Sequence, residues 1–491
     1  MTLKSKSFSA VRWTTIAAIV RAALQVVQVT VLARLLSPED YGLMAMVGVV
    51  LSFTALFADL GLNSAFMQRR DVTLEQRSSL FWLNVVLSVG LTLLVIAASP
   101  LLAWFFGDKR LSPLMMLSAS TFILGTLGVQ VRLAAEKELD FRPIMLLEIA
   151  VAILGFIASL SAAFSGWGVY SLVLGGIVSA FFSTAFAWMF MARGWRPMWR
   201  LRMKDVRPYL KFGGAMVANN IVNQINMTVD LLLGGRLLGA SQLGLYSVPR
   251  NLVLQLQFMV NPIITRVGFP LIAQVQNDVV RVGSIYLKTM NMTASTNAPL
   301  YVGIAVFAPE IVMIMLGDGW QSSAPLLRVL AAWGFFRSTM NPVGSLLFGM
   351  GRADLSLKWN LTMLLILPPV MWFGSKYGAA GLTWALLGLY IFLFVPGWFF
   401  LVRPLCRLSL FNFSVATLRP LVLALLSLLP AYLIALQFNG APIRLILGGV
   451  VSVPLYLALS YSANREWLRA MMELIVKRRP DTNTSKNSFV K

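Results

Sequence analysis

The polar side chains that could do chemistry in this chain lie inside otherwise apolar stretches. Arg21, Gln25 and Gln28 are spaced i, i+4 and i+7, so they share one face of a helix. A second stripe with helical spacing consists of Asn219, Asn223, Asn226 and Asp230. Amides can hydrogen-bond hydroxyl groups and arginine can neutralise an anion, so both stripes could line a path for a polar cargo. The same amides could instead bond one helix to another.

Isolated charges inside the apolar stretches add further candidates. Arg337 lies about ten residues from either end of its stretch, too far for easy snorkelling, and its planar fork suits a phosphate group. Asp59 is expected at a depth similar to that of Arg21, and Asp230 at a depth similar to that of Arg250. These two pairs could be ion pairs without any transport role, or Asp59 and Asp230 could couple to an ion.

Composition indicates the class of protein that positions these side chains. The chain is 58% hydrophobic and only 12% charged, whereas a soluble domain is roughly a quarter charged. Apolar runs of about 20 residues, the length that crosses a bilayer, recur along the chain. We therefore predict an all-α integral membrane protein with about fourteen transmembrane helices. The spans are expected near 13–34, 42–66, 79–106, 113–134, 144–164, 168–192, 209–235, 243–265, 286–316, 324–349, 356–374, 380–402, 417–437 and 442–462.

The lysines and arginines predict the orientation. If the amino terminus is cytoplasmic, 31 of the 41 basic residues fall on the cytoplasmic side and seven on the other. This asymmetry follows the positive-inside rule, so an even number of spans with both termini in the cytoplasm is expected. The basic loops would then lie against anionic lipid, which accounts for the net charge of +22 without a nucleic-acid partner.

Several kinds of chemistry are disfavoured by what the sequence lacks. The chain has no histidine and one cysteine, Cys406, so neither the commonest metal ligand nor an intramolecular disulfide is present. No G-x-x-x-x-G-K-[ST] loop for nucleotide phosphates occurs. We expect no cofactor, no metal site and no enzymatic activity.

An internal repeat predicts the domain organisation. The segment from Arg34 to Leu43 resembles the segment from Arg236 to Leu245, and a constant offset of 202 residues aligns them without a gap. Two further echoes follow in the same order: Gly107-Asp108 with Gly317-Asp318, and the glycines near 166–168 with those near 378–381. Six spans per half predict a parallel repeat with the cargo path between two lobes. The predicted parts are lobes at 1–192 and 212–402, a basic linker at 193–211, two further spans at 403–462 and a tail at 463–491.

Longer motifs resemble a known family. Val31 to Gly42 resembles the opening of the broad family, whereas Gln68-Arg69-Arg70, Phe81 to Asn84, Asn261 to Val267 and Asn341 to Leu346 are similar to one branch of it. Nearly the whole chain is similar to bacterial polysaccharide exporters of the Wzx flippase type, colanic-acid branch, in the MOP superfamily. The resemblance implies a two-lobed, MATE-like transporter of the bacterial inner membrane that flips undecaprenyl-diphosphate-linked oligosaccharides. It also implies cationic cavity residues, for which Arg21, Arg250 and Arg337 are the candidates, and partners among membrane lipids and polysaccharide polymerase or export machinery.

Two other classes remain open at this point. A multidrug or ion antiporter of the same superfamily would share the architecture but should favour acidic residues in its cavity. A membrane glycosyltransferase or polymerase would need a large loop outside the membrane or an acidic cluster, and the predicted outer loops are short.

Overall fold

The protein is helical throughout the part that the computed structural model describes, which comprises residues 20–59, 61–69 and 72–476. We number the helices α1 to α19 in chain order, beginning with α1 at 20–35. The others are α2 (Pro38–Asp59), α3 (Leu62–Gln68), α4 (Leu74–Phe106), α5 (Leu111–Lys137), α6 (Phe141–Phe164), α7 (Tyr170–Met191), α8 (Met203–Gln274), α9 (Val279–Val306), α10 (Ala308–Met315), α11 (Ser323–Thr339), α12 (Pro342–Gly349), α13 (Ala353–Ser375), α14 (Gly378–Phe392), α15 (Phe394–Gly397), α16 (Arg403–Cys406), α17 (Leu410–Ala435), α18 (Ala441–Ala463) and α19 (Arg465–Val476).

The prediction of a multi-pass helical membrane protein is confirmed. Within the described residues, eight helices are long and apolar enough to cross a membrane. A ninth span results if α9 and α10, which are bent by 76° at Phe307, cross together. The count of fourteen stays a prediction. In α8 the backbone leaves helical geometry at Gly239 (φ 77°, ψ 174°), between the predicted spans 209–235 and 243–265, so α8 consists of two helices joined at a kink.

Local sequence signals explain where the helices start and stop. Thr73 caps α4, because its side-chain Oγ1 accepts a hydrogen bond from the Gln76 backbone amide and its own backbone amide donates one to Gln76 Oε1. This capping box satisfies two of the donors that a helix start leaves open. The same helix ends at Gly107, which adopts the left-handed conformation (φ 78°) that favours glycine.

The first of two compact units comprises residues up to Leu252 together with Val312–Leu326 and Ser356–Leu389. Small residues bring its helices close together. A Cβ on Gly155 of α6 would lie 2.0 Å from Ser179 Oγ, and one on Gly175 of α7 would lie 1.8 Å from Ser159 Oγ. Membrane helices gain most of their packing energy from such close approaches, because lipid supplies no hydrophobic drive between them.

The two copies of the repeat motif contact each other inside this unit. A Cβ on Gly42 would lie 1.7 Å from the carbonyl oxygen of Ala240, and one on Gly244 would lie 1.7 Å from that of Pro38. The offset of 202 residues converts either contact into the other. We call these four residues the reciprocal contact.

The second echo of the repeat follows the same exchange, and the third makes an equivalent contact within each copy. Arg34 lies beside Gly317, whereas its counterpart Arg236 lies beside Gly107. Asp40 and its counterpart Gln242 lie beside the two left-handed glycines of the third echo, Gly168 and Gly378. Each of these contacts therefore has an equivalent made by the counterpart residues, as a two-fold relation requires.

The second compact unit comprises Val253–Ile311, Leu327–Leu355 and the residues from Tyr390 onward. Its α9 packs against α17, which in turn packs against α18. A buried polar network at their ends includes Asn291, whose Nδ2 donates to Asn464 Oδ1 at 2.9 Å. Asn464 also accepts from Arg419 Nη2 at 2.9 Å and donates to Ser295 Oγ at 2.7 Å. The network ties the last spanning helices to α9.

Candidate functional site

The first polar stripe lies on α1, where Arg21 and Gln25 are exposed and Gln28 is half-buried. Arg21 Nη1 is 2.9 Å from Glu148 Oε2 of α6, and both side chains are partly open, at 46% and 32% of their full exposure. Glu148 also interacts electrostatically with Arg132 of α5, which donates from Nη1 to Ser183 Oγ at 2.7 Å. Two arginines therefore share one carboxylate, and the cluster carries a net positive charge.

Sequence reasoning missed two members of this cluster. Glu148 stands alone among apolar residues, the same signal that marks Arg337, and could have been found in that way. Arg132 falls at the end of the predicted span 113–134, where a basic residue is typical of the cytoplasmic boundary and gives no signal of a site; it lies inside α5. Asp59, the predicted partner of Arg21, is the last residue of α2, and its side chain is not among those that the structure describes. That pairing stays a prediction.

The second stripe runs along α8 and becomes more buried toward Asp230. Asn223 is exposed, while Asn226 is half-buried and donates from Nδ2 to the carbonyl oxygen of Asn360 at 2.9 Å. The side chain of Asn219 lies outside the described ones. Asn226 therefore joins α8 to α13 by a hydrogen bond, whereas the Asn223 side chain is exposed.

Asp230 and Arg250 form the ion pair that their depths predict. Arg250 Nε donates to Asp230 Oδ2 in a short hydrogen bond, and Arg250 Nη2 donates to Asp230 Oδ1 at 3.1 Å. Tyr246 OH donates to Asp230 Oδ2 at 2.6 Å, and all three side chains are buried. The charges neutralise each other in this conformation. A role for Asp230 and Arg250 in the cargo path or in ion coupling stays a prediction.

Arg337 lies on α11 in the second unit, half-buried. Its Nε donates to Gln257 Oε1 at 3.1 Å and its Nη1 donates to the Tyr390 hydroxyl at 2.8 Å. The guanidinium also lies 5.4 Å from the centre of the Trp333 ring. These three contacts are with neutral groups and hold the planar fork in one orientation.

A buried amide cluster lies one residue along from Arg337. Asn261 Nδ2 donates to the carbonyl oxygen of Ser338 at 2.8 Å, and Asn297 Nδ2 donates to Ser338 Oγ at 2.9 Å and Asn261 Oδ1 at 3.1 Å. The cluster joins α8, α9 and α11 close to Arg337. Asn297 and Ser338 carry no distinct signal in the sequence, since single polar residues in a helix are also common in packing.

No cluster of three or more His, Cys, Asp or Glu side chains that could hold a metal ion occurs among residues 20–59, 61–69 and 72–476. The candidate residues within each unit are chiefly arginines, amides and hydroxyls. Such groups bind phosphates and sugar hydroxyls by hydrogen bonds and charge, without forming or breaking covalent bonds.

Comparison with known proteins places these features in a family. The family of polysaccharide biosynthesis proteins matches residues 31–325, which is more than half of the chain. The lipopolysaccharide biosynthesis protein WzxC of Escherichia coli K12 is 29% identical over 441 residues, covering 90% of each chain.

Solved structures share the fold. The lipid II flippase MurJ, in an inward closed conformation, superposes with a TM-score of 0.73 over 94% of this chain and 100% of its own, at 14% identity. A multidrug resistance MATE family transporter of the MOP superfamily, inward-facing, gives a TM-score of 0.58 over 83% of this chain and 97% of its own, also at 14% identity. The all-α, MATE-like membrane fold that the sequence predicts is confirmed.

Proposed function

Because the chain belongs to the polysaccharide biosynthesis protein family, we propose that it is a membrane transporter that flips lipid-linked oligosaccharides. The cargo would be an undecaprenyl-diphosphate-linked repeat unit, carried across the cytoplasmic membrane of a bacterium, with both termini of the protein in the cytoplasm. Family membership over more than half of the chain carries this proposal. The fold shared with the lipid II flippase supports it.

The chemistry of the cargo fits the groups inside the spans. A diphosphate cannot enter hydrocarbon without compensation, and sugar hydroxyls lose their hydrogen bonds to water there. We assign the hydroxyls to the exposed amides Gln25 and Asn223, and the phosphates to arginines. Arg337 is our first choice for the diphosphate, because its contacts already orient the fork toward one direction. Arg21 is the second, because it is exposed and its cluster keeps a net positive charge.

Movement of the cargo requires two alternating openings. We propose that lobes 1–192 and 212–402 rock against each other, and that the reciprocal contact of Pro38, Gly42, Ala240 and Gly244 closes the outer end. The close approach there supports a closed state, since no side chain fits between the helices. A polymerase or export complex that receives the flipped cargo is a further proposed partner.

A deletion strain tests the function itself. Loss of the protein should cause lipid-linked repeat units to accumulate on the cytoplasmic side and the cell-surface polysaccharide to disappear. Mass spectrometry of the lipid extract, with a membrane-impermeant glycosidase to report sidedness, measures both. Normal surface polysaccharide without accumulation would contradict the proposal. If the deletion instead lowers the resistance of the cells to cationic dyes, a multidrug antiporter is favoured.

Substitution of Arg337 tests the assignment of the site. Arg337→Ala should abolish complementation of the deletion strain while the protein stays in the membrane at normal abundance. Arg337→Lys should restore only part of the activity, because lysine keeps the charge but loses the bidentate fork. Arg352→Ala is the control, since Arg352 is exposed and bonded to Asp354. Full complementation by Arg337→Ala would remove Arg337 from the path and leave the flippase function standing.

A further inference from the structure

A basic pocket that the proposed transport path does not use lies at the end of the span Gly378–Cys406. It is open, has a volume of about 630 Å³ and is lined by Phe399, Phe400, Arg403, Pro404 and Arg407. Two of these five residues are arginines and none is acidic. The pocket therefore attracts anions.

An irregular backbone builds the pocket. Residues Trp398–Val402 form a π-helical turn, which is wider than an α-helical one and occurs often at functional sites. After the short α16, Arg407 adopts a left-handed conformation (φ 49°) that side chains other than glycine rarely take. Its amide donates to the carbonyl oxygen of Arg403 at 3.0 Å, and Trp398 Nε1 donates to that of Leu408 at 3.0 Å. These bonds fix the turn so that both arginines border one space.

The walls of the pocket combine charge with exposed aromatic surface. The Arg403 guanidinium lies 5.6 Å from the centre of the Trp398 ring and 5.3 Å from that of Phe399, contacts that orient it. Phe399 and Phe400 remain 46% and 59% exposed. A soluble anion would leave those rings uncovered, whereas a lipid brings a phosphate and an acyl chain together.

We propose that this pocket binds the phosphate of an anionic phospholipid, with one acyl chain lying along Phe399 and Phe400. Arginine pairs in pockets at the membrane surface match the phosphodiester group, and aromatic rings are favoured at the same depth. This inference is independent of the transport function, because it concerns a lipid that stays in its leaflet. The ligand that fits the pocket is a phosphodiester group attached to a hydrocarbon chain.

Native mass spectrometry of the purified full-length protein tests the proposal. The protein in detergent is titrated with phosphatidylglycerol, with phosphatidylcholine as the zwitterionic comparison. Wild type should retain phosphatidylglycerol in preference. Arg403→Gln combined with Arg407→Asn should weaken retention by about fivefold for each arginine, the factor expected for losing one headgroup contact. Asparagine is chosen at position 407 because it tolerates the left-handed conformation.

The control and the competing sources are measured in the same way. Arg352→Gln removes an exposed arginine elsewhere in the same unit and should retain phosphatidylglycerol as wild type does. If the double variant does not fold, the single Arg407→Asn variant gives the same comparison. Equal retention by wild type and variant would overturn the proposal. Displacement of the lipid by equimolar inorganic phosphate, or preference for a polyprenyl phosphate, would also overturn the assignment to phospholipid.

Discussion

The reciprocal contact makes a prediction that can be worked out from its geometry. Gly42→Ala places a Cβ 1.7 Å from the carbonyl oxygen of Ala240, whereas ordinary van der Waals contacts begin at 3.4 Å. The helices must separate by about 1.7 Å, because the obstructing atom is backbone and cannot rotate away. Overpacking of this kind costs about 1–3 kcal/mol. A bias of that size against the closed state changes the ratio of closed to open molecules by roughly 5- to 150-fold.

Cross-linking across the contact measures the shift. Cysteines replace Ser37 and Ser241, two exposed residues that flank the contact, in a Cys406→Ser background. The yield obtained with a short bifunctional thiol reagent should fall in Gly42→Ala. Gly244→Ala should lower it equally, since the offset of 202 residues exchanges the two contacts. The two changes together should cost less than the sum, because one separation relieves both clashes.

A matched control separates the clash from the general effect of alanine. Gly48 lies on the same helix, α2, and a Cβ there meets nothing within 4 Å. Gly48→Ala should therefore leave the cross-linking yield unchanged. If Gly42→Ala behaves as Gly48→Ala does, the close approach does not govern opening and the reasoning is refuted.

Three further predictions follow from ion pairs. Asp230→Asn should destabilise the protein by about 3–5 kcal/mol, because Arg250 is left buried without its partner, whereas the double variant Asp230→Leu with Arg250→Met should be near neutral. Thermal unfolding distinguishes the two outcomes. A double variant that is stable but loses export would show that both residues belong to the cargo path. A double-mutant cycle with Arg21→Ala and Glu148→Ala should give a coupling of no more than about 1 kcal/mol, because the pair is half-exposed. Glu148→Ala should cost more than Arg21→Ala, since it also removes the interaction with Arg132, and zero coupling would argue against the pair. The hydrogen bond from Arg110 lowers the pKa of Asp108 below the ordinary carboxyl value of about 3.9. The stability that this bond contributes is therefore present above the ordinary pKa and disappears as pH falls through the lower pKa of the folded state. Arg110→Ala should remove this acid dependence from the melting temperature.

The fold could largely be predicted from the sequence, because apolar length and charge asymmetry are properties of the chain itself. The repeat was visible for the same reason: Arg34 and Arg236, or Gly42 and Gly244, share types at a constant offset. The number of spans was harder to predict. In α8 two helices meet at the non-helical Gly239 without a loop between them, and hydropathy alone cannot distinguish such a kink from two helices joined by a loop.

The candidate site was predictable in its residue types but not in its partners. Asp230 and Arg250 are 20 residues apart on adjacent predicted spans, so their depths could be compared. Arg21 and Glu148 are separated by more than a hundred residues, and which helix faces α1 depends on packing. The same holds for Arg337, whose partners Gln257 and Tyr390 come from distant segments of the second unit.

The exchange of partners in the reciprocal contact has a consequence for the history of the chain. When residue i of one copy contacts residue j of the other, and j of the first contacts i of the second, the surface is isologous, as in a symmetric homodimer. A half-length precursor that associated through this surface would have made both contacts with one glycine. Any mutation there would have acted twice. In a single chain that holds both copies, Pro38 and Ala240 can differ, whereas a Cβ at either glycine meets backbone.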